Sequence, residues 1–316
     1  MKPFADGSIS FRLYPHALGP TEALDEMKAQ ASLAVESGFD GLMVSERHGG
    51  IAGNVPNPLQ ITGWLASGMD HGWVAPCPVL ALFRAPALIV EEVAWLAVNY
   101  PDRVGVGLGT GGNELDFELF GTTKADLGRR FEPVLKFVTE HLSGTADDDL
   151  CRDPAVARCV EHPIPVLSAA MSPGAARRAA RCQAGIIGSS LISLETERDL
   201  SQAYRSAGGT GPEVLIRFIW LGDLPTDAVD SKFKEYQNTS RSRGGAISGA
   251  AEIIASKDPE VIAERLTEAM GFTGRNALHL RVHVPGIPPE QIREQIQAVG
   301  ESVLPLVRRE RAKPSQ

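Results

Sequence analysis

Residues 79–121 read VLALFRAPALIVEEVAWLAVNYPDRVGVGLGTGGNELDFELFG, and the order of elements in this stretch decides the fold. Val79 to Phe83 is an apolar run suited to a fully buried strand. Pro86 stands where a helix tolerates proline, in its first turn. Leu88, Val93, Leu96 and Ala97 then recur at helical spacing, with Glu91 and Glu92 on another face. Val104, Val106 and Leu108 alternate with Gly105, Gly107 and Gly109. One side of this second strand is therefore bare and admits a backbone or a flat ligand.

The same alternation continues outward. Ile9–Tyr14, Phe39–Ser45, a run within Trp73–Phe83, a run within Arg103–Gly109, Ile164–Ala169, Ala184–Gly188, Val214–Leu221 and Ala277–Val284 read as strands. Helical patterns separate them, the first capped by Thr21 and stopped by Gly38 in the αL conformation. Others run over residues 59–67, 125–141, 173–182, 194–206, 259–270 and 289–308. Eight such units predict an α/β fold, a closed (β/α)8 TIM barrel of right-handed βαβ units, with insertions after strands four and seven. With no internal repeat and no linker rich in Pro, Gly and Ser, residues 1–316 read as a single domain.

Of the 316 residues, 43% are apolar and 22% charged, enough for a large core under an ordinary polar surface. A net charge of −8 argues against nucleic acid or an anionic membrane as partner and for an enzyme of small molecules. The opening MKPFADGSISFRLYPH lacks the apolar core of a signal peptide, and no apolar run reaches membrane-spanning length, so the expected location is cytoplasmic. Cys77, Cys151, Cys159 and Cys182 show no C-x-x-C spacing, so neither a disulfide framework nor a metal site is expected.

The opening stretch, with GFDGLMVSERHGG at 38–50, resembles the bacterial luciferase-like flavin oxidoreductases. The shared pieces are Pro86, Glu91-Glu92, Asp102-Arg103-Val104, Gly107-Leu108-Gly109 and Phe120-Gly121, and weaker echoes run from about Ile9 to Leu306. The resemblance implies a flavin-dependent monooxygenase. Reduced FMN, supplied by a partner flavin reductase, would react with O2 to oxidise an aldehyde, ketone or similar small substrate. The alternative within the family is a deazaflavin F420-dependent oxidoreductase that transfers a hydride without oxygen. A flavin-binding protein without turnover is a more distant alternative. The family also implies a homodimer, which the apolar stripes at 59–67 and 88–98 allow.

In a barrel the site lies at the C-terminal ends of the strands. Candidate acid–base residues there are Arg47, His48 and His16; the catalytic histidine of the family pattern aligns with Arg47. The resemblance implies a cis peptide behind the ring near Cys77-Pro78, with Ala75-Pro76 as the fallback and a trans proline at a strand edge or bulge as the other reading. It places Gly109, Thr110 and Asn113 in the loop approaching the ring. FMN-using members can carry an arginine at the position of Thr110, so threonine there keeps F420 open. Ser172 opens a helix with small first residues, and Gly188-Ser189 lies on the neighbouring loop; together they are candidates for the cofactor phosphate. Tyr14, Phe83 and Arg281 are the candidate substrate residues, and Trp64 is counted with the apolar pocket. NTSRSRGGAISG at 238–249 reads as a lid or a surface loop. Metal-dependent and Schiff-base chemistry rank low, since the seven histidines are scattered and the predicted strands contain no lysine.

Overall fold

The protein is described by a computed structural model covering residues 1–49, 55–229 and 252–312. Strands β1 (Ile9–Arg12), β2 (Gly41–Val44), β3 (Trp73–Pro76), β4 (Val79–Leu80), β5 (Val106–Gly109), β6 (Val166–Ala169), β7 (Gly185–Ile187), β8 (Glu213–Leu221), β9 (Ile253–Ser256) and β10 (Ala277–Arg281) form one sheet. Its order is β3-β2-β1-β10-β8-β7-β6-β5-β4, with β9 added on β8, and every pairing is parallel. β3 and β4 are two halves of one strand. The lower half pairs with β2, the upper half with β5, and a bridge between Val74 and Val104 closes the ring. This is the predicted TIM barrel.

The main helices are α1 (Pro20–Glu36), α2 (Pro58–Ala66), α3 (Pro86–Asn99), α4 (Glu114–Leu119), α5 (Leu127–Leu142), α6 (Pro154–Ala157), α7 (Pro173–Arg181), α8 (Leu194–Ser206), α9 (Pro259–Thr273), α10 (Pro289–Ala298) and α11 (Leu304–Arg311). Prolines at the first helical position open many of them, because that N–H has no helical partner to lose. No helix among the described residues is long and apolar enough to cross a membrane.

Two cores result. Outward-facing Ile9, Phe11, Leu13, Leu42, Val74 and Val106 pack under the helices. Inside the barrel, Met43, Trp73, Ala75, Cys77, Leu167, Ile187, Val214 and Ala277 pack on one another, and Phe4 belongs to the same cluster. Trp73 fills the space a side chain at Gly41 would need, and meets Phe4 edge-on at 5.1 Å.

Three local expectations are corrected, and a fourth falls on residues outside the described ones. α1 is capped by Gly19 without a side-chain bond, since Pro20 takes the first helical position and Thr21 lies inside the helix. α3 buries Ile89, Val90, Val93 and Ala94, leaving Leu88 exposed; a helix apolar on nearly every side carries no phase for periodicity to read. β9 is a strand the pattern missed, since Ile253–Ser256 is short and half-buried. The stretch 238–249, with Gly50 and residues 51–54, lies outside the described residues.

Candidate active site at the barrel mouth

The floor of the mouth is the Cys77-Pro78 peptide, which is cis as expected. It is pinned on both sides: Cys77 N–H donates to Val44 O at 2.6 Å, and Glu46 N–H donates to Pro78 O at 3.0 Å. Gly107 faces Cys77, and a Cβ there would lie 2.1 Å from Sγ. Gly109 lies against Pro78 and Ala169, at 3.2 and 3.6 Å from where its Cβ would be. Gly107 thus makes room for the Cys77 side chain, and Gly109 keeps the wall beside Pro78 low.

Along one side of this floor, β1 and β10 send cations and rings inward. Arg12 donates Nη1 to Cys77 O at 2.8 Å, while its Nε is buried without a partner. Arg12 and Arg281 both lie over the ring of Tyr14, at 5.2 and 5.0 Å. Such contacts are worth about 0.5–2 kcal/mol each and hold the two guanidinium groups together despite their like charge. Tyr14 stacks on His283 at 5.0 Å, and His16 meets the same ring edge-on at 4.9 Å. His16 accepts from Gln30 Nε2 at 2.7 Å, and its pKa is lowered by burial, partly offset by Glu26. Burial therefore favours the neutral ring.

Along the other side the β2 end supplies a second group. Glu46 is buried, and its Oε2 accepts the Leu80 N–H at 2.8 Å. Its Oε1 faces His48 Nε2 at 2.9 Å and accepts from Arg84 at 3.3 Å. His48 also meets Phe120 edge-on at 4.6 Å, and Phe120 stacks on Phe83 at 4.9 Å. Arg47 is paired with the fully buried Asp116 at 3.3 Å, and the same carboxylate takes the His48 N–H at 3.2 Å. The guanidinium therefore braces the His48 segment.

Thr110 turns its hydroxyl onto Gly111 O at 2.9 Å, and Asn113 precedes α4 without a side-chain cap. Ser172 caps α7 by accepting the Ala175 N–H at 3.3 Å, as its sequence position predicts. The neighbouring loop behaves differently. The Ser189 N–H is given to Glu197 at 3.2 Å, and a Cβ at Gly188 would collide with that carboxylate. Glu197 in turn is paired with Arg275 at 2.6 Å, both side chains wholly buried. Burial raises the Glu197 pKa, and Arg275 and Arg217 pull it back.

Tyr14, His16 and Arg281 are thus brought together, as are His48, Arg47 and Phe83, with Cys77 and Pro78 between the groups. Trp64 is not: it is exposed on α2. Arg12, Asp116, Phe117, Glu197 and Arg275 went unread in the sequence. A cation in the alternating strand ISFRLY is the one signal that could have found Arg12.

A parallel barrel with a flat floor at its strand ends, flanked by cations and by a histidine–carboxylate pair, is the build of a cofactor-dependent α/β-barrel oxidoreductase. The chain belongs to the luciferase-like monooxygenase family, whose model matches residues 8–304. It is 26% identical to an F420-dependent glucose-6-phosphate dehydrogenase of Microbacterium testaceum, over 95% of this chain and 97% of the relative. Among solved structures, monooxygenase RslO1 from Streptomyces bottropensis superimposes with a TM-score of 0.76 at 21% identity, covering 94% of this chain and 99% of that one. The oxygenating constituent of 3,6-diketocamphane monooxygenase from Pseudomonas putida, in complex with FMN, gives 0.74 at 16% identity, covering 96% and 99%. Relatives thus use FMN or F420.

Proposed function

We propose that this protein is an F420-dependent oxidoreductase that moves a hydride between a small hydroxylated substrate, or its carbonyl form, and the deazaflavin. The observation that carries the reading is the His48–Glu46 pair at 2.9 Å. Removing hydride from a carbinol leaves a hydroxyl proton that needs a base near neutral pH, and an imidazole oriented by a buried carboxylate is such a base. Support comes from Thr110, which puts no cation in the loop after β5, and from the F420-dependent relative matched along nearly its whole length.

The residues present fit a planar, anionic ring. Gly109 and Ala169 keep the wall beside Pro78 low, and the unpartnered Nε of Arg12 is a donor beside the cis bulge. Cys77-Pro78, Gly109 and Arg12 would hold the ring, and Ser172 at the start of α7 would take the phosphate end. When bound, the deazaflavin supplies a hydride acceptor and donor. His48 takes or returns the hydroxyl proton, and Glu46 fixes the ring of His48. Tyr14, His16 and Arg281 form the substrate wall, with Arg281 suited to an anionic or carbonyl group. Phe83, Phe117 and Phe120 exclude water from the opposite side.

A second reading is the reduced-FMN monooxygenase with a separate flavin reductase. It is favoured by the Arg12 and Arg281 cations, which would equally stabilise an anionic reduced flavin. Equilibrium binding of the purified chain to F420, FMN and reduced FMN separates the two. Tighter binding of F420, with bleaching by an added alcohol or aldose under anaerobic conditions, is the expected result. Preference for reduced FMN, with substrate oxidised only when oxygen is admitted, would overturn it.

A further inference from the structure

At the end of α5 lies a group of side chains with no part in the reaction above. The Ile164 N–H donates to Leu142 O at 2.8 Å, which sets this end of the helix beside the start of β6, at the pole opposite the mouth. His141 has a side chain only 2% exposed. Its Nδ1 lies 2.8 Å from Phe137 O, an acceptor without a proton, so Nδ1 carries the hydrogen. Its Nε2 lies 3.0 Å from Oδ1 of Asp148. The thiol of Cys151 is the third member, with Sγ 3.9 Å from the same oxygen and 3.4 Å from Ala146 O. The three potential ligand atoms lie within 4.8 Å of one another.

Both ring nitrogens of His141 thus face acceptors. A neutral ring would set its Nε2 lone pair against a carboxylate at 3.0 Å. Two species relieve that contact: an imidazolium, or a neutral imidazole with a cation shared between Nε2 and Asp148. The thiol at the third corner favours the cation, since sulfur adds little to an imidazolium but is a strong ligand for a soft metal. A ring N–H given to a backbone carbonyl is also how metal-binding histidines are oriented. Zinc bonds of about 2.0–2.3 Å to N, O and S put tetrahedral ligand atoms roughly 3.3–3.6 Å apart. The observed 3.0 and 3.9 Å bracket that spacing. One thiolate and one carboxylate would offset a 2+ charge. Of the nearby ionic groups, Arg152 is drawn away to Asp149 at 2.9 Å, Glu140 is paired with Lys136 at 3.7 Å, and Asp147 is the chain neighbour of Asp148.

We infer that His141, Asp148 and Cys151 form a binding site for a divalent, borderline-soft metal ion of the Zn2+ type, with the fourth position left to water. On binding, the S–H bond of Cys151 breaks, the sulfur donates its electron pair to the metal, and the proton goes to solvent. No electrons are transferred. The ion would tie the segment after α5 to the helix end.

Cobalt(II) titrated into the chelator-treated full chain is the test, since a cobalt–thiolate bond gives a near-ultraviolet charge-transfer band. One equivalent is expected to produce that band, and Zn2+ to displace it. Cys151→Ser should abolish the band and Asp148→Asn should weaken binding about tenfold or more. Asp148 is exposed and Cys151 half-buried, and Asn and Ser keep the size of the side chains they replace, so circular dichroism of each variant is expected to match the parent. The other three cysteines are buried, and burial pushes the thiols of Cys77 and Cys159 up to about 12 and about 11, so a band surviving in Cys151→Ser overturns the assignment. Absence of any thiolate band in the parent also overturns it, leaving a His141–Asp148 hydrogen bond and no metal site.

Discussion

Nε2 of His48 lies 2.9 Å from Oε1 of Glu46, a carboxylate 1% exposed whose second oxygen is held by the Leu80 N–H. The backbone bond fixes the carboxylate, and the carboxylate fixes the ring. His48→Asn should therefore lower kcat by about 10²–10⁴-fold while leaving cofactor binding close to that of the parent. Glu46→Gln keeps the shape and removes the charge, so kcat should fall by about tenfold or more with cofactor binding close to that of the parent. A kcat equal to the parent's in both variants would count against His48 as the base.

The Glu197–Arg275 pair is wholly buried, and Glu197 also holds the Ser189 N–H of the loop beside α7. A buried pair contributes little net stability, but removing one partner leaves a charge without compensation. Arg275→Met should cost about 3–5 kcal/mol in denaturant unfolding. The double variant Arg275→Met with Glu197→Gln should recover most of that loss, because the amide oxygen still accepts the Ser189 N–H. Equal losses in single and double variants would show that the packing of Arg275, rather than its charge, is what the site requires.

How far the sequence could be read follows from the range of each interaction. Strand–helix alternation is local, so the eight barrel strands and most helix starts were legible from residues such as Val106, Leu108 and the opening prolines. β9 was not, because its pairing with β8 is made across a long insertion. The cis Cys77-Pro78 bond was legible through family resemblance. Arg12 and Asp116 escaped because their roles exist only in the folded chain: Arg12 reaches Cys77 across 65 residues, and Asp116 meets Arg47 across 69. The expected phosphate loop at Gly188-Ser189 looked open because nothing local announces that Glu197 folds back onto it.

Apolar side chains on α2 and α3 remain exposed: Trp64, Leu88, Trp95 and Val98. A patch of this kind on an otherwise charged surface is the expected seat of a second copy of the chain. Trp95→Glu should shift the mass measured by light scattering from dimer toward monomer at micromolar concentration. A parent that is already monomeric would remove the homodimer expectation.

Two histidines should make the fold acid-sensitive. The Ser10 hydroxyl donates to Leu278 O, so its oxygen accepts from Nδ1 of His279 at 2.9 Å. Burial, reinforced by Arg12, holds the His279 pKa well below the usual value, and burial also lowers that of His16. With folded values depressed, the unfolded chain binds more protons below about pH 6.5. Stability is then fully present above that pH and falls as the pH drops toward the folded values. The urea midpoint should decline between roughly pH 6.5 and 5, with the His279 ring signal unchanged by NMR across the same interval. A midpoint independent of pH there would contradict the burial argument.

The floor of the mouth depends on Gly107 having no side chain. An added Cβ would stand 2.1 Å from Sγ and 2.9 Å from Cβ of Cys77, on a strand buried from both sides. The clash involves a short, buried side chain with nowhere to swing, so the backbone has to give. Gly107→Ala should destabilise the fold by about 1–3 kcal/mol, read as a lower thermal midpoint, and weaken cofactor binding with it. Cys77→Ala in the same chain removes the 2.1 Å contact but leaves the 2.9 Å one, so recovery should be partial. Full recovery of stability in the double variant would show that the backbone absorbs the 2.9 Å contact and that Sγ of Cys77 alone sets the need for glycine.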